Sequence, residues 1–201
     1  MSLYQLKPAF QGLLRPLVAR LARGGVTANQ VTLAAGLVSV VLGVWLCTPS
    51  GPRAWFLLLP AWFLLRMAFN AVDGMLAREH GQQSPLGAYL NELSDVISDS
   101  ALYLPFAFIA PFDWIGVGGV ILAAAVSEYA GVLGLMVGAS RRYDGPMGKS
   151  DRALVFGALG LWVGLGGALP AWAVWLMPLL FVLIVFTIVN RVRHGLAERP
   201  H

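Results

Sequence analysis

Six predominantly apolar stretches follow one another with only short links between them: Thr27–Cys47, Ala54–Leu76, Leu86–Ile109, Trp114–Gly138, Asp151–Leu169 and Ala171–Val189. A run of roughly 20 apolar residues spans the hydrocarbon core of a bilayer as a helix. In lipid every backbone amide must find its partner inside the protein, so runs of this length have helices as their solution. The chain is 58% hydrophobic and 12% charged, where soluble domains are about a quarter charged. The pattern predicts an all-α integral membrane protein with six transmembrane helices and one domain over residues 1–201.

The segment before the first apolar run reads differently. Leu3, Leu6, Phe10, Leu13, Leu14, Leu17, Val18 and Leu21 recur at three- and four-residue steps, with Lys7, Arg15 and Arg20 between them. That is an amphipathic helix suited to the membrane–water interface, with packing on the bundle as the plainer alternative. Residues 1–26 are therefore expected to form an interfacial helix, residues 27–190 a six-helix bundle, and residues 191–201 a basic tail. Gly24-Gly25 should end the first helix, and Thr27 should cap the next. The segment has no continuous apolar core of the kind a cleaved signal peptide carries.

Lysine and arginine placement sets the orientation. Lys7, Arg15, Arg20, Arg23, Arg78, Arg141, Arg142, Lys149, Arg152, Arg191, Arg193 and Arg199 fall on one set of links and termini, and Arg53 alone on the other. Both termini are then cytoplasmic, in a multi-pass membrane protein. The net charge of +4 would face anionic lipid headgroups. Cations spread around a rim do not suit a nucleic acid. The single cysteine, Cys47, excludes an internal disulfide. His80, His194 and His201 lie in links or the tail and read as solvated. Gly134 with Gly138, and Gly160 with Gly164, are small-xxx-small pairs that allow close helix approach. Pro105 should kink the third span.

Polar residues interrupt this apolar background between Asn70 and Asp99. Ionisable groups at membrane depth are costly and usually functional. With each helical residue advancing about 100°, Arg66, Asn70, Asp73 and Ala77 share one stripe of the second span. Asn91, Glu92, Asp95 and Asp99 share a stripe of the third. Carboxylates and amide carbonyls converging from two helices are the donors that hard divalent cations such as Mg²⁺ use. Gly74 and Ala77 keep bulk away from that stripe, and Arg78 can hold a phosphate oxygen. Arg141, Arg142, Lys149 and Arg152 would suit an acceptor bearing phosphate, although positive-inside charge alone accounts for Arg141 and Arg142. Glu128 is an intramembrane acid that either pairs with Arg66 or lines an acceptor pocket.

The stretch Asn70-x-x-Asp73-Gly74-x-x-Ala77-Arg78, eight residues, then Gly87-x-x-x-Asn91-x-x-x-Asp95 resembles the CDP-alcohol phosphotransferase signature, DxxDGxxAR followed after eight residues by GxxxDxxxD. VTANQVT at Val26–Thr32 is similar to that family's TPNxxT entry to its first helix. Gly148-Lys149-Ser150-Asp151-Arg152 is similar to a basic element opening its fifth, and the opening MSLYQLKPAFQGLLRP resembles a YnbA-like bacterial subgroup. The resemblance implies six membrane helices, usually a homodimer, and a metal-dependent site open to the cytoplasm. It implies transfer of a phosphatidyl or related phospho-group from a CDP-linked donor, above all CDP-diacylglycerol, to a polar alcohol acceptor with release of CMP. By the same resemblance Gly74, Ala77, Arg78 and Gly87 contact the CDP moiety, and Lys149 and Arg152 are acceptor candidates. Asn70, Asp73, Asn91 and Asp95 hold one or two ions of Mg²⁺ or Mn²⁺, and Asp95 and Asp73 carry the catalysis.

The chain departs from the signature at Asn70 and Asn91, where aspartates are expected. Asparagine keeps a carbonyl donor and loses a negative charge, so Asp73 and Asp95 alone would balance one divalent ion. Glu92 and Asp99 restore four carboxylates if they face the site. Two other readings stand beside the transferase. One is a non-catalytic relative that binds CDP or lipid; the other is a transporter, which the clustering of the polar groups and the lack of an inverted repeat argue against.

Overall fold

The computed structural model describes residues 3–48 and 51–198. Arg199 and His201 of the expected tail lie outside the described residues, as do Met1 and Ser2 and the side chains of Leu3, Leu6 and Lys7. Every regular element among the described residues is helical: α1 (Leu3–Arg23), α2 (Ala28–Leu46), α3 (Leu58–Glu79), α4 (Pro85–Tyr103), α5 (Trp114–Leu133), α6 (Lys149–Gly164) and α7 (Leu176–Glu198). Short 3-10 turns lead into α3 and α7 and follow α4 and α5. Four helical segments are long and apolar enough to cross a membrane: Ala28–Leu46, Arg53–Glu79, Trp114–Val137 and Ala171–Glu198. α4 falls short because Glu92, Asp95 and Asp99 interrupt it, and α6 because it has only 16 residues and opens on Lys149, Asp151 and Arg152.

The helix boundaries follow local chemistry. Gly25, at φ +77, takes the left-handed conformation that ends α1. The Thr27 hydroxyl accepts from the Gln30 amide at 3.2 Å while Gln30 Oε1 accepts from the Thr27 amide at 2.9 Å, a reciprocal cap on α2. Ser84 Oγ accepts from the Gly87 amide at 3.0 Å, with Pro85 opening α4. Asp113 Oδ1 caps α5 through the Gly116 amide at 2.7 Å. Pro105 falls in the 3-10 turn Leu104–Phe108, so the third apolar stretch tightens there instead of continuing as one kinked α-helix. Gly166, at φ +82, follows the end of α6, which stops short of the expected Leu169. α7 instead runs past Val189 through Arg191 and Arg193, so part of the expected tail is helix, with Arg191 buried.

The chain divides into two compact units, 1–38 with 64–95, and 39–63 with 96–201. The first comprises α1, the start of α2, the end of α3 and the start of α4. Its small core contains Val18, Ala28, Val31, Val72, Met75 and Leu76, with Leu14 and Leu21 of α1 packed against it. α1 thus docks by one edge while Phe10, Leu13 and Leu17 face outward, Leu13 being 80% exposed. Arg15 Nε reaches Glu79 Oε2 at 3.2 Å.

The second unit has the larger core. Phe156 of α6 stacks on Tyr103 with ring centroids 3.9 Å apart, and Phe106 packs on Phe156 at 5.3 Å. Gly43 lets α2 touch the backbone of α4: a Cβ there would sit 2.2 Å from the Ala101 carbonyl oxygen. Gly160 and Gly164 pack against Leu59, Phe56 and Leu57 in the same way, so this small-residue pair is used inside the chain. Outward faces carry Leu37 and Val41 on α2, Leu154 and Leu161 on α6 and Phe181, Val182, Phe186 and Val189 on α7, the surface a lipid solvent selects.

Candidate active site

The first unit encloses an open cavity of about 630 Å³. Asn70, Asp73, Gly74, Ala77 and Arg78 of α3 line it, and Gly87, Asn91 and Glu92 of α4 face them. Asn70, Asp73 and Ala77 of one polar stripe therefore meet Asn91 and Glu92 of the other, while Arg66, Asp95 and Asp99 of the same stripes are not among the lining residues. Ala28, Asn29 and Thr32 of α2 and Gln82, Gln83 and Ser84 of the α3–α4 link complete the wall.

Two helix N-termini open on this cavity, those of α2 and α4. Each presents the positive end of a helix dipole, which favours an anion. Arg78 at the end of α3 adds a full charge. The link is tied down from inside: Gln82 Oε1 accepts from the Ala28 amide at 2.7 Å, and its Nε2 donates to the Val26 carbonyl at 3.3 Å. A Cβ on Gly87 would meet Asn29 Oδ1 at 2.9 Å and Ser84 Oγ at 3.1 Å, so a side chain there would displace the ends of these two polar groups.

Asp73 is buried and accepts from the Thr32 hydroxyl at 2.7 Å. Asp95, one turn beyond Asn91, is set back from the wall and held by the buried Arg66, whose Nη2 donates to Asp95 Oδ1 at 3.1 Å and to its carbonyl at 3.2 Å. Arg66 thus pairs with Asp95, and Glu128 has other partners. Asp99 lies in the second unit, where it accepts from the Tyr103 hydroxyl at 3.1 Å and from Arg152 Nη2 at 3.4 Å. Of the two supplementary acids, Glu92 lines the cavity.

Asn70, Asp73, Asn91 and Glu92 offer an all-oxygen donor set of carboxylates and amide carbonyls, the chemistry of a hard divalent ion. Among the described residues no three carboxylate, imidazole or thiol side chains converge on a metal position. Amides stand at two of the four signature positions. Asn29, Thr32, Gln82 and Ser84 are lining residues that sequence spacing does not single out, although Asn29 and Thr32 fall in the Val26–Thr32 motif.

The acceptor candidates belong to the second unit. Arg152 is buried, with Nη2 at 2.8 Å from Glu128 Oε1 and Nη1 donating to the Met147 carbonyl at 3.1 Å. Arg142 pairs with Asp144 through Nε and Oδ2 at 2.8 Å and also contacts Glu198. His194 Nδ1 lies 3.0 Å from Asp144 Oδ1 on an exposed imidazole. Lys149 is the first residue of α6.

Residues 25–189 match the family model described as CDP-alcohol phosphatidyltransferase. The Inner membrane protein YnbA of Escherichia coli (strain K12) is 46% identical over 196 residues, covering 96% of each chain. The crystal structure of Mycobacterium tuberculosis phosphatidylinositol phosphate synthase (PgsA1) in complex with manganese and citrate superposes with a TM-score of 0.73 at 25% identity, covering 92% of this chain and 89% of that one. The same enzyme with CDP-DAG bound gives 0.73 at 25% identity, covering 92% and 94%. The converging stripes, the glycine-lined wall and these likenesses agree: this is a membrane protein of the CDP-alcohol phosphatidyltransferase family.

Proposed function

We propose that the chain transfers a phosphatidyl group from CDP-diacylglycerol to a polar alcohol and releases CMP. The observation that carries this is the convergence of Asn70, Asp73, Gly74, Ala77, Arg78, Gly87 and Asn91 on one cavity beneath two helix N-termini. The donor's diphosphate suits those N-termini and Arg78, and its nucleotide suits the narrow walls at Gly74, Ala77 and Gly87. The CDP-DAG and manganese named with the neighbouring structures support the choice of donor and cofactor.

Asn70, Asp73, Asn91 and Glu92 would hold Mg²⁺ or Mn²⁺, with Asp95 behind them. A divalent ion there supplies Lewis-acid stabilisation of charge on the diphosphate. Thr32 fixes the Asp73 carboxylate at the cavity wall by a hydrogen bond. Asp95 receives the acceptor hydroxyl's proton, or orients that hydroxyl for attack on the phosphorus, and Arg66 holds its carboxylate in place. The phosphorus–oxygen bond to CMP breaks as the bond to the acceptor oxygen forms. The six-span topology with both termini cytoplasmic, the interfacial position of α1 and a homodimer belong to the same reading. The family match and the apolar outward faces support it.

The test is CMP release from CDP-diacylglycerol by the purified chain with Mn²⁺ or Mg²⁺ and a panel of alcohols, products read by mass spectrometry. Asp73→Ala and Asp95→Ala should each abolish release. Turnover like wild type in either variant refutes the assignment.

A further inference from the structure

The link between α3 and α4 turns back into the wall of the first unit's cavity, and one side chain fixes where it lies. Gly81, at φ +67, takes the left-handed conformation that ends α3. The Gln82 amide then donates to the Ala77 carbonyl at 3.1 Å, which ties the link to the last turn of that helix. The Gln82 side chain crosses to the turn between α1 and α2. There Oε1 accepts from the Ala28 amide at 2.7 Å and Nε2 donates to the Val26 carbonyl at 3.3 Å. Each end of the side-chain amide thus meets backbone of the complementary kind. Ala28 is the first residue of α2, so its amide has no acceptor within that helix and Gln82 supplies one. Ala28, Arg78 and Gln82 all line the cavity, and all belong to the first unit. Asp73 and Asp95 are held separately, by Thr32 and Arg66.

We propose that Gln82 is a positioning residue for the donor: by joining the end of α3 to the start of α2 it holds the cavity wall at the spacing that grips the CDP moiety. This rests on the transferase reading above and deepens it. With its oxygen and nitrogen both engaged by backbone, the side chain acts through the wall it holds and takes no part in the transfer step. A wall that is in place only part of the time lowers the apparent affinity in proportion. The carboxylates of the reaction keep their own partners, so the complex that does form turns over as before.

The test uses the purified full chain and Gln82→Met, which keeps the length of the side chain and removes both hydrogen bonds. CDP affinity by calorimetry and the donor KM for CMP release should each weaken about tenfold, while kcat at saturating donor stays within about twofold of wild type. A merely structural contact, once lost, would lower the unfolding temperature without producing this split between KM and kcat. Ala28→Pro removes the amide on the other side of the tie, at a helix position that proline tolerates. The double variant should bind CDP little more weakly than Gln82→Met alone. By hydrogen exchange, the Ala28 amide should exchange at least about tenfold faster in Gln82→Met than in wild type. The proposal is overturned if folded Gln82→Met binds CDP like wild type, if kcat falls as far as affinity does, if the losses in the double variant add, or if the Ala28 amide exchanges no faster. Absence of CMP release with every acceptor from a wild type that binds CDP refutes the transferase reading instead, and the CDP affinities then decide on Gln82 by themselves. A wild type that binds no CDP overturns both.

Discussion

Gly74→Ala separates the roles of space and charge in the donor cavity. A Cβ on Gly74 would lie 2.9 Å from Arg78 Nη2 and 3.4 Å from its Cζ, with no backbone among these nearest atoms. The atom that must move is the far end of a flexible side chain one helical turn away. Stability should therefore not fall. Alanine in place of a helical glycine gains about 0.5–1 kcal/mol, which for a chain of this length raises the unfolding temperature by about 1–4 °C. Donor binding should suffer, because the guanidinium is pushed from its place beside the cavity. A charge-assisted hydrogen bond of that kind contributes about 1.5–3 kcal/mol, so CDP affinity should drop about ten- to hundredfold. The assay is CDP titration by calorimetry beside a thermal scan of the same sample. Arg78→Ala should show the same loss, and the double variant should lose little more than either single one. A folded Gly74→Ala protein that binds CDP like wild type, or additive losses in the cycle, would refute this account of Arg78.

Two further predictions follow from charge. Asn70→Asp with Asn91→Asp returns two carboxylates to the signature and should lower the half-saturating Mn²⁺ concentration for CMP release by at least about tenfold, a small share of what nearby charges contribute at an effective dielectric of about 20; an unchanged metal requirement shows that these positions are not ligands. The Asp144 carboxyl, in the loop before α6, is held down from 3.8 to about 2, chiefly by hydrogen bonds from Arg142. A depressed pKa stabilises the fold above the unfolded value and ceases to do so as pH falls toward the folded one. Asp144→Asn should then unfold below wild type at neutral pH, with the gap closing between about pH 4 and 2 in thermal scans, and a gap independent of pH would show that the pair contributes nothing through ionisation.

The helices were legible because apolar runs and caps are local. Thr27, Ser84 and Asp113 act within three residues of themselves. Helical periodicity likewise brings Asn70, Asp73 and Asn91 of the signature, with Glu92 beside them, to one cavity, while Asp95 of the same signature stands back from it. Partners across helices were not legible. Asp73 with Thr32, Asp95 with Arg66 and Glu128 with Arg152 and Arg191 depend on the depth at which neighbouring helices are set, which no local pattern encodes. Arg191 shows the limit most clearly. It reads as tail charge, yet it is buried on a helix that continues to Glu198, because an acid on another helix awaits it.

α1 packs by Leu14, Val18 and Leu21 on the unit that holds the donor cavity, and turns Phe10, Leu13 and Leu17 outward. On the proposed topology it floats that cavity at the lipid–water boundary. The quantity such an enzyme experiences is then the surface density of its donor. Diluting CDP-diacylglycerol with inert lipid or detergent should slow it at constant bulk concentration, while diluting the whole suspension at constant composition should leave the rate per enzyme nearly unchanged.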